Sequence, residues 1–224
     1  VREFSMARSF TISELLGRGA ATAPAISAPG RPDLTYAGLR DQVAATITAL
    51  NALGVGRDDA VAIVLPNGPE MAAAFVAIAA GATTAPLNPG YTADEFEFYL
   101  QDLAARLLVV EAGSSSPSVT VARKLGIPIA ELVIPIGTPA GQFELRGAPG
   151  KAARPGPAGT ADVALVLHTS GTTSRPKIVP LTQANVCASA DHIATSLALT
   201  SADRCLQVMP LFHIHGLIAA VLSS

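Results

Sequence analysis

No tryptophan occurs in the 224 residues, aromatic side chains make up only 4%, and charged ones only 14%. Lys plus Arg number 15 and Asp plus Glu 17, for a net charge of −2. So even a balance leaves no basic footprint for nucleic acid or an acidic membrane surface. Cysteine is nearly absent. Cys187 and Cys205 form neither a disulfide framework nor a metal-ligand spacing, and read as free thiols of a reducing cytoplasm. No run is long enough to span a bilayer. Met71–Ala80 is the longest uninterrupted apolar stretch, and Gly81, Thr83, Thr84 and Pro86 follow it. A basic start leading into an apolar core is missing from residues 1–10, so no secretory signal is visible. No repeat period is found.

What the chain has is apolar bulk. Half its residues are hydrophobic, enough to bury a sizeable core. Thr35 is placed to cap a helix with Leu39, Val43, Ile47, Leu50 and Leu53 on one face, and Gly54 stops it. Ala60–Leu65 is a continuous apolar run of strand length, the kind that suits a sheet covered on both faces. Pro69 opens a helix to Ala80, and 83–89 reads as a short buried strand. Thr92 and Glu95 form a capping box ahead of the next helix. Arg106–Val110 reads as a strand, "SSSPS" as a loop, and a weaker helix and strand follow. This alternation predicts an α/β fold with a mostly parallel sheet flanked by helices.

Residues 137–162, dense in Gly, Pro and Ala, read as a connection between an N-terminal α/β subdomain (1–136) and the start of a second one (163–224). Beyond it "VALVLH" and "KIVPL" read as strands and Thr182 as the cap of a helix. "RCLQVMPLF" reads as another strand, and "GLIAAVLSS" starts a helix. The chain stops inside that apolar helix with no C-cap, and reads as truncated.

Between the two strands lies "HTSGTTSRPK", a short polar run in an apolar setting. Small hydroxyl side chains and a glycine let successive backbone N–H groups converge on one anion, and Lys177 adds a full charge. Phosphate oxygens suit such a site. The spacing is not that of the common P-loop, since no hydroxyl follows Lys177 and the next element reads as a strand. The bland reading is a turn whose hydroxyls bond their own backbone. A cation on each side of Pro176 and the position directly after a buried strand favour the anion site.

These residues resemble a known family. "LHTSGTTSRPKIVPLT" is similar to the phosphate loop of the adenylate-forming acyl-CoA synthetases, and "MPLFHIHG" to that family's Pro-x-Phe-His segment beside the acyl pocket. "VAIVLPNGPE" and "GATTAPLNPGYTADE" resemble its N-terminal subdomain. Ser174, "VPLTQ" and "PLFHIHGL" look most like the oxalate–CoA ligase branch, so the chain is identified as the N-terminal part of such a protein.

The resemblance implies ATP-dependent activation of a carboxylic acid through an acyl-adenylate, with CoA as the final acceptor. Oxalate or a similar small acid is favoured and a fatty acid comes next. It implies that Thr169, Ser170, Gly171, Thr172, Thr173 and Ser174 cradle phosphates while Lys177 follows the leaving pyrophosphate. Thr172 or Thr173 would offer an oxygen to Mg2+, and His213 would border the acyl site and the CoA entrance. Arg175 reads as a solvated cation, His168 as a packed strand-end residue, His192 as solvent-facing and His215 as structural. A strand pairing His213 with His215 on one face could instead form part of a metal site, but no third ligand is in view. Ile178 stands where the family has glycine, and would be strained if that position requires a positive φ. The family's later ligands would lie beyond Ser224, so the chain alone is expected to be inactive. Two readings from other classes stay open: a non-catalytic nucleotide- or phosphate-binding fragment, and a kinase-like ATPase that releases ADP. Oligomeric state leaves no trace in the sequence.

Overall fold

The computed structural model describes residues 10–169 and 176–224. The helices predicted from caps and apolar spacing are present. Thr35 caps α2 (Tyr36–Ala52), its hydroxyl accepting from the Gly38 N–H at 3.2 Å. Pro69 is the first residue of α3 (Pro69–Ala79). The Thr92–Glu95 box opens α4 (Ala93–Asp102), and Thr182 caps α6 (Gln183–Ser196) through Asn185. A short α1 (Ile12–Leu16) precedes them. In "SSSPS" the loop is shorter than predicted: Ser116 caps α5 (Pro117–Leu125) and Pro117 is already helical.

A small antiparallel pair, β1 (Pro24–Ile26) and β2 (Leu34–Thr35), lies apart from the main sheet. The main sheet takes β3 (Ala60–Val64), β4 (Thr83–Pro86), β5 (Leu107–Glu111), β6 (Ile129–Val133), β7 (Glu144–Gly147), β8 (Val163–Thr169) and β9 (Lys177–Thr182). Their order is β7-β6-β5-β3-β4-β8-β9. The strands from β6 to β8 run parallel, and β7 and β9 close the two edges antiparallel. The prediction of a mostly parallel α/β sheet holds. Strand β7 falls inside the Gly/Pro-rich stretch, where Phe143 is buried and Leu145 packs against the core.

Side-chain alternation explains why both faces need helices. Val61 and Ile63 of β3 and Leu107 and Val109 of β5 face one core, with α2, α3 and α6. Ala62, Val64, Leu108 and Val110 face the other, with Phe96 and Leu100 of α4 and Val121 of α5. Strands β4 and β8 share a short register, Thr84 opposite Leu165. Two buried hydroxyls reinforce it: Thr83 Oγ1 donates to the Val163 carbonyl at 2.8 Å and Thr84 Oγ1 to the Ala164 carbonyl at 2.7 Å.

The "RCLQVMPLF" stretch is not a strand. Leu206 is 86% exposed and Val208 73% exposed, and no neighbouring strand among the described residues takes up their backbone groups. The following apolar segment forms a wide π-type helix, His215–Leu222. Among the described residues no helix is long and apolar enough to cross a membrane.

Candidate active site

In open α/β sheets, ligands bind beyond the carboxyl ends of the parallel strands, where successive connections leave in opposite directions. Here that change of direction occurs around β3: the chain passes from β3 to β4 on one side, then to β5 on the other. Three segments reach this edge, namely the turn after β3, the turn after β4 and the far end of β8.

Strand β8 ends at Thr169 and β9 begins at Lys177, and these two residues are cross-strand partners. The base of the hydroxyl-rich loop is therefore pinned by a ladder that continues through His168–Ile178 and Leu167–Val179. Thr169 Oγ1 lies 3.5 Å from the Lys177 carbonyl. Lys177 is exposed, and among the described residues no carboxylate pairs with its ammonium. Ser170, Gly171, Thr172, Thr173, Ser174 and Arg175 lie outside the described residues. As expected, a strand and not a helix follows the loop.

Ile178 is not strained. It sits in β9 and is absent from the residues with positive φ, which besides glycines are Asp58, Ala104 and Ala198 among the described residues. A β-branched residue is at home in that extended backbone, and the expected strain is withdrawn. His168 is packed as expected: its side chain is 6% exposed, its Nε2 lies 3.0 Å from Asp102 Oδ2, and Tyr99 meets it edge-on at 4.6 Å. Tyr91 stacks on Tyr99, and burial, helped by that neighbour, pushes its phenol far above the ordinary value.

His213 lies on a turn, and its N–H donates to the Pro210 carbonyl at 3.2 Å. It is exposed, with the Phe212 ring 4.7 Å away. His215 is also exposed and begins the π-type helix, so the two do not share a strand face and the geometric premise of a metal pair is not met. His192 is exposed on α6, as expected.

Three features hold the His213 turn. Leu211 is buried in the core. The Gln207 side chain spans the turn, accepting from the Met209 N–H at 2.8 Å and donating to the Gly216 carbonyl at 3.1 Å. Asn67, in the turn after β3, donates to the Met209 carbonyl at 3.1 Å and accepts from the Leu211 N–H at 2.9 Å. Gly216 is required by close approach, since a Cβ there would meet the Pro210 carbonyl oxygen at 2.6 Å. The sequence pattern assigns Asn67 no part in the site. Its position just after a buried strand was the available signal.

The topology thus gathers the His213 turn, anchored at β3, and the Thr169–Lys177 base, at β8, on one edge of the sheet. Two strand spacings, roughly 10 Å, separate β3 from β8. Such an arrangement can hold an extended anion beside a second small ligand.

Comparison with known proteins gives the family. The model of the family described as "AMP-binding enzyme" matches residues 17–224, and the chain belongs to that family. It is 40% identical to the probable CoA ligase CCL9 of Humulus lupulus over 98% of its own length and 43% of that protein's. It is 40% identical to an oxalate–CoA ligase of Arabidopsis thaliana over 96% of its length, again 43% of the relative's. The chain therefore spans less than half the length of these relatives. Its fold matches the ATP-bound crystal structure of MatB from Rhodopseudomonas palustris with a TM-score of 0.77 at 24% identity, covering 96% of this chain and 43% of that one.

Proposed function

We propose that the whole protein is an ATP-dependent, AMP-forming acyl-CoA synthetase, with oxalate or a similar small carboxylic acid as substrate. The observation that carries this reading is a family match over residues 17–224 in a chain whose hydroxyl-rich loop is based on the β8–β9 hairpin, beside the parallel strands' carboxyl ends. The small-acid preference rests on "HTSGTTSRPK" and "PLFHIHGL" and on the relative named an oxalate–CoA ligase.

A carboxylate is a poor acyl donor because its resonance and its oxide leaving group both oppose attack. In the proposed reaction a carboxylate oxygen forms a bond to the α-phosphorus of ATP while the bond to the β-phosphate bridge breaks, releasing pyrophosphate. The CoA thiol, losing its proton, then attacks the acyl carbon, and AMP leaves with the bonding pair. Such displacements need positioning and neutralisation of charge. Thr169 and the loop to Ser174 would bind the β- and γ-phosphates. Lys177 would balance the charge that develops on pyrophosphate, and His213 would line the acyl and thiol approach. Thr172 or Thr173 would offer an oxygen to Mg2+. Among the described residues no group of three or more His, Cys, Asp or Glu is arranged to hold a metal ion. The 224 residues alone would not turn over.

Pyrophosphate release by the full-length gene product, with CoA and a panel of acids, tests this reading. Release with oxalate but not with octanoate or palmitate is expected. Release with the long acids alone would overturn the substrate class, and ADP as product would overturn the reaction.

A further inference from the structure

We propose that Asn67 is a positioning residue for the acyl side of this site, acting through the His213 turn. The inference rests on the function proposed above.

Asn67 stands 142 residues before Met209 and 144 before Leu211, yet its one amide group bonds both. The two bonds straddle Pro210, which has no N–H to offer. The carboxamide therefore takes the carbonyl before the proline and the N–H after it, as a neighbouring strand would. Both groups belong to a stretch with no strand partner among the described residues, so these bonds are directed at backbone that the sheet leaves free.

The consequence is geometric. The Pro210 carbonyl accepts the His213 N–H, so whatever fixes residues 209–211 sets where the His213 turn begins. Asn67 belongs to the turn after β3, whose strand is buried on both faces at the middle of the sheet. The contact thus ties the mostly exposed 204–213 stretch to the turn that leaves the central strand of the sheet. Gln207 instead ties the stretch across the turn to Gly216, at the start of the π-type helix, and not to β3. Lys177 and the loop base hang from β8 and β9, and among the described residues no hydrogen bond joins them to Asn67. Loss of Asn67 is therefore expected to disturb the acyl side and to spare the nucleotide side.

The test uses the full-length protein and steady-state kinetics with both substrates varied. Asn67→Ala removes both bonds. Asn67→Asp keeps the acceptor for the Leu211 N–H and loses the donor to Met209. With Asn67→Ala, KM for the acid is expected to rise five- to tenfold while KM for ATP stays within twofold, and Asn67→Asp is expected to fall between Ala and the parent. If Asn67→Ala does not fold, the Asp variant alone decides by the same ratio of the two KM values. Unchanged acid KM, or equal changes for acid and ATP, would overturn the positioning role. A parent protein without acid-dependent pyrophosphate release would instead defeat the proposed function, so the two failures are distinguishable.

Discussion

The two cysteines separate by environment. Cys187 is fully buried in α6, and burial pushes its thiol up to about 12, with Asp191 adding to the effect. Cys205 is exposed. Since the thiolate is the reactive form, Cys187 is expected to react with a thiol reagent at neutral pH at least about tenfold more slowly than Cys205. In a Cys205→Ser variant, labelling should appear only on unfolding, and rapid labelling of the folded variant would contradict the packing of α6. Individual residues differ in how far the sequence revealed them. His168 was legible as a packed strand end, though its Asp102 partner was not, because nothing local links α4 to β8. The strain expected at Ile178 depended on a backbone angle, and an extended β9 removes it. Asn67 was missed because its partners lie more than a hundred residues away.

Among the elements, α3 carries the sharpest energetic statement. From Met71 to Ala79 only Ala72 escapes full burial, and Phe75 is inaccessible to solvent. Phe75→Ala should cost about 3–5 kcal/mol, read from the denaturant midpoint against the parent. A loss below about 1 kcal/mol would show that α3 is not buried as described. The helices α2, α3, α4 and α6 were legible because caps and apolar spacing are local signals. Continuous apolar runs likewise announced β3 and β5. Strand β7 hid within a Gly- and Pro-rich text, since only Leu145, with Phe143 just before the strand, marks its inner side. The stretch from Arg204 to Phe212 misled in the opposite sense. It has the apolar content of a strand, but strands exist by pairing, and side chains of Asn67 and Gln207 bond its backbone instead.

At the scale of the whole molecule, the seven-stranded sheet turns separate stretches of chain into one edge. Buried Thr83 and Thr84 fasten β8 to β4, and β9 fastens the far side of the loop to β8. This fixes Thr169 opposite Lys177 whatever occupies residues 170–176. The order of strands, and with it this gathering, was not in the sequence pattern, because pairing partners are set by packing across the sheet. The hydroxyls, glycine and lysine of the loop suggest an anion site from the sequence, and residues 170–175 lie outside the described residues. The central claim is that this pinned loop grips the phosphates of ATP, and the most direct measurement is the ATP dissociation constant of the full-length protein and of its Lys177→Ala variant. Loss of a charged donor is worth about 1.5–3 kcal/mol, so binding should weaken roughly 10- to 150-fold. Equal affinity for the two proteins, both folded, would contradict the account.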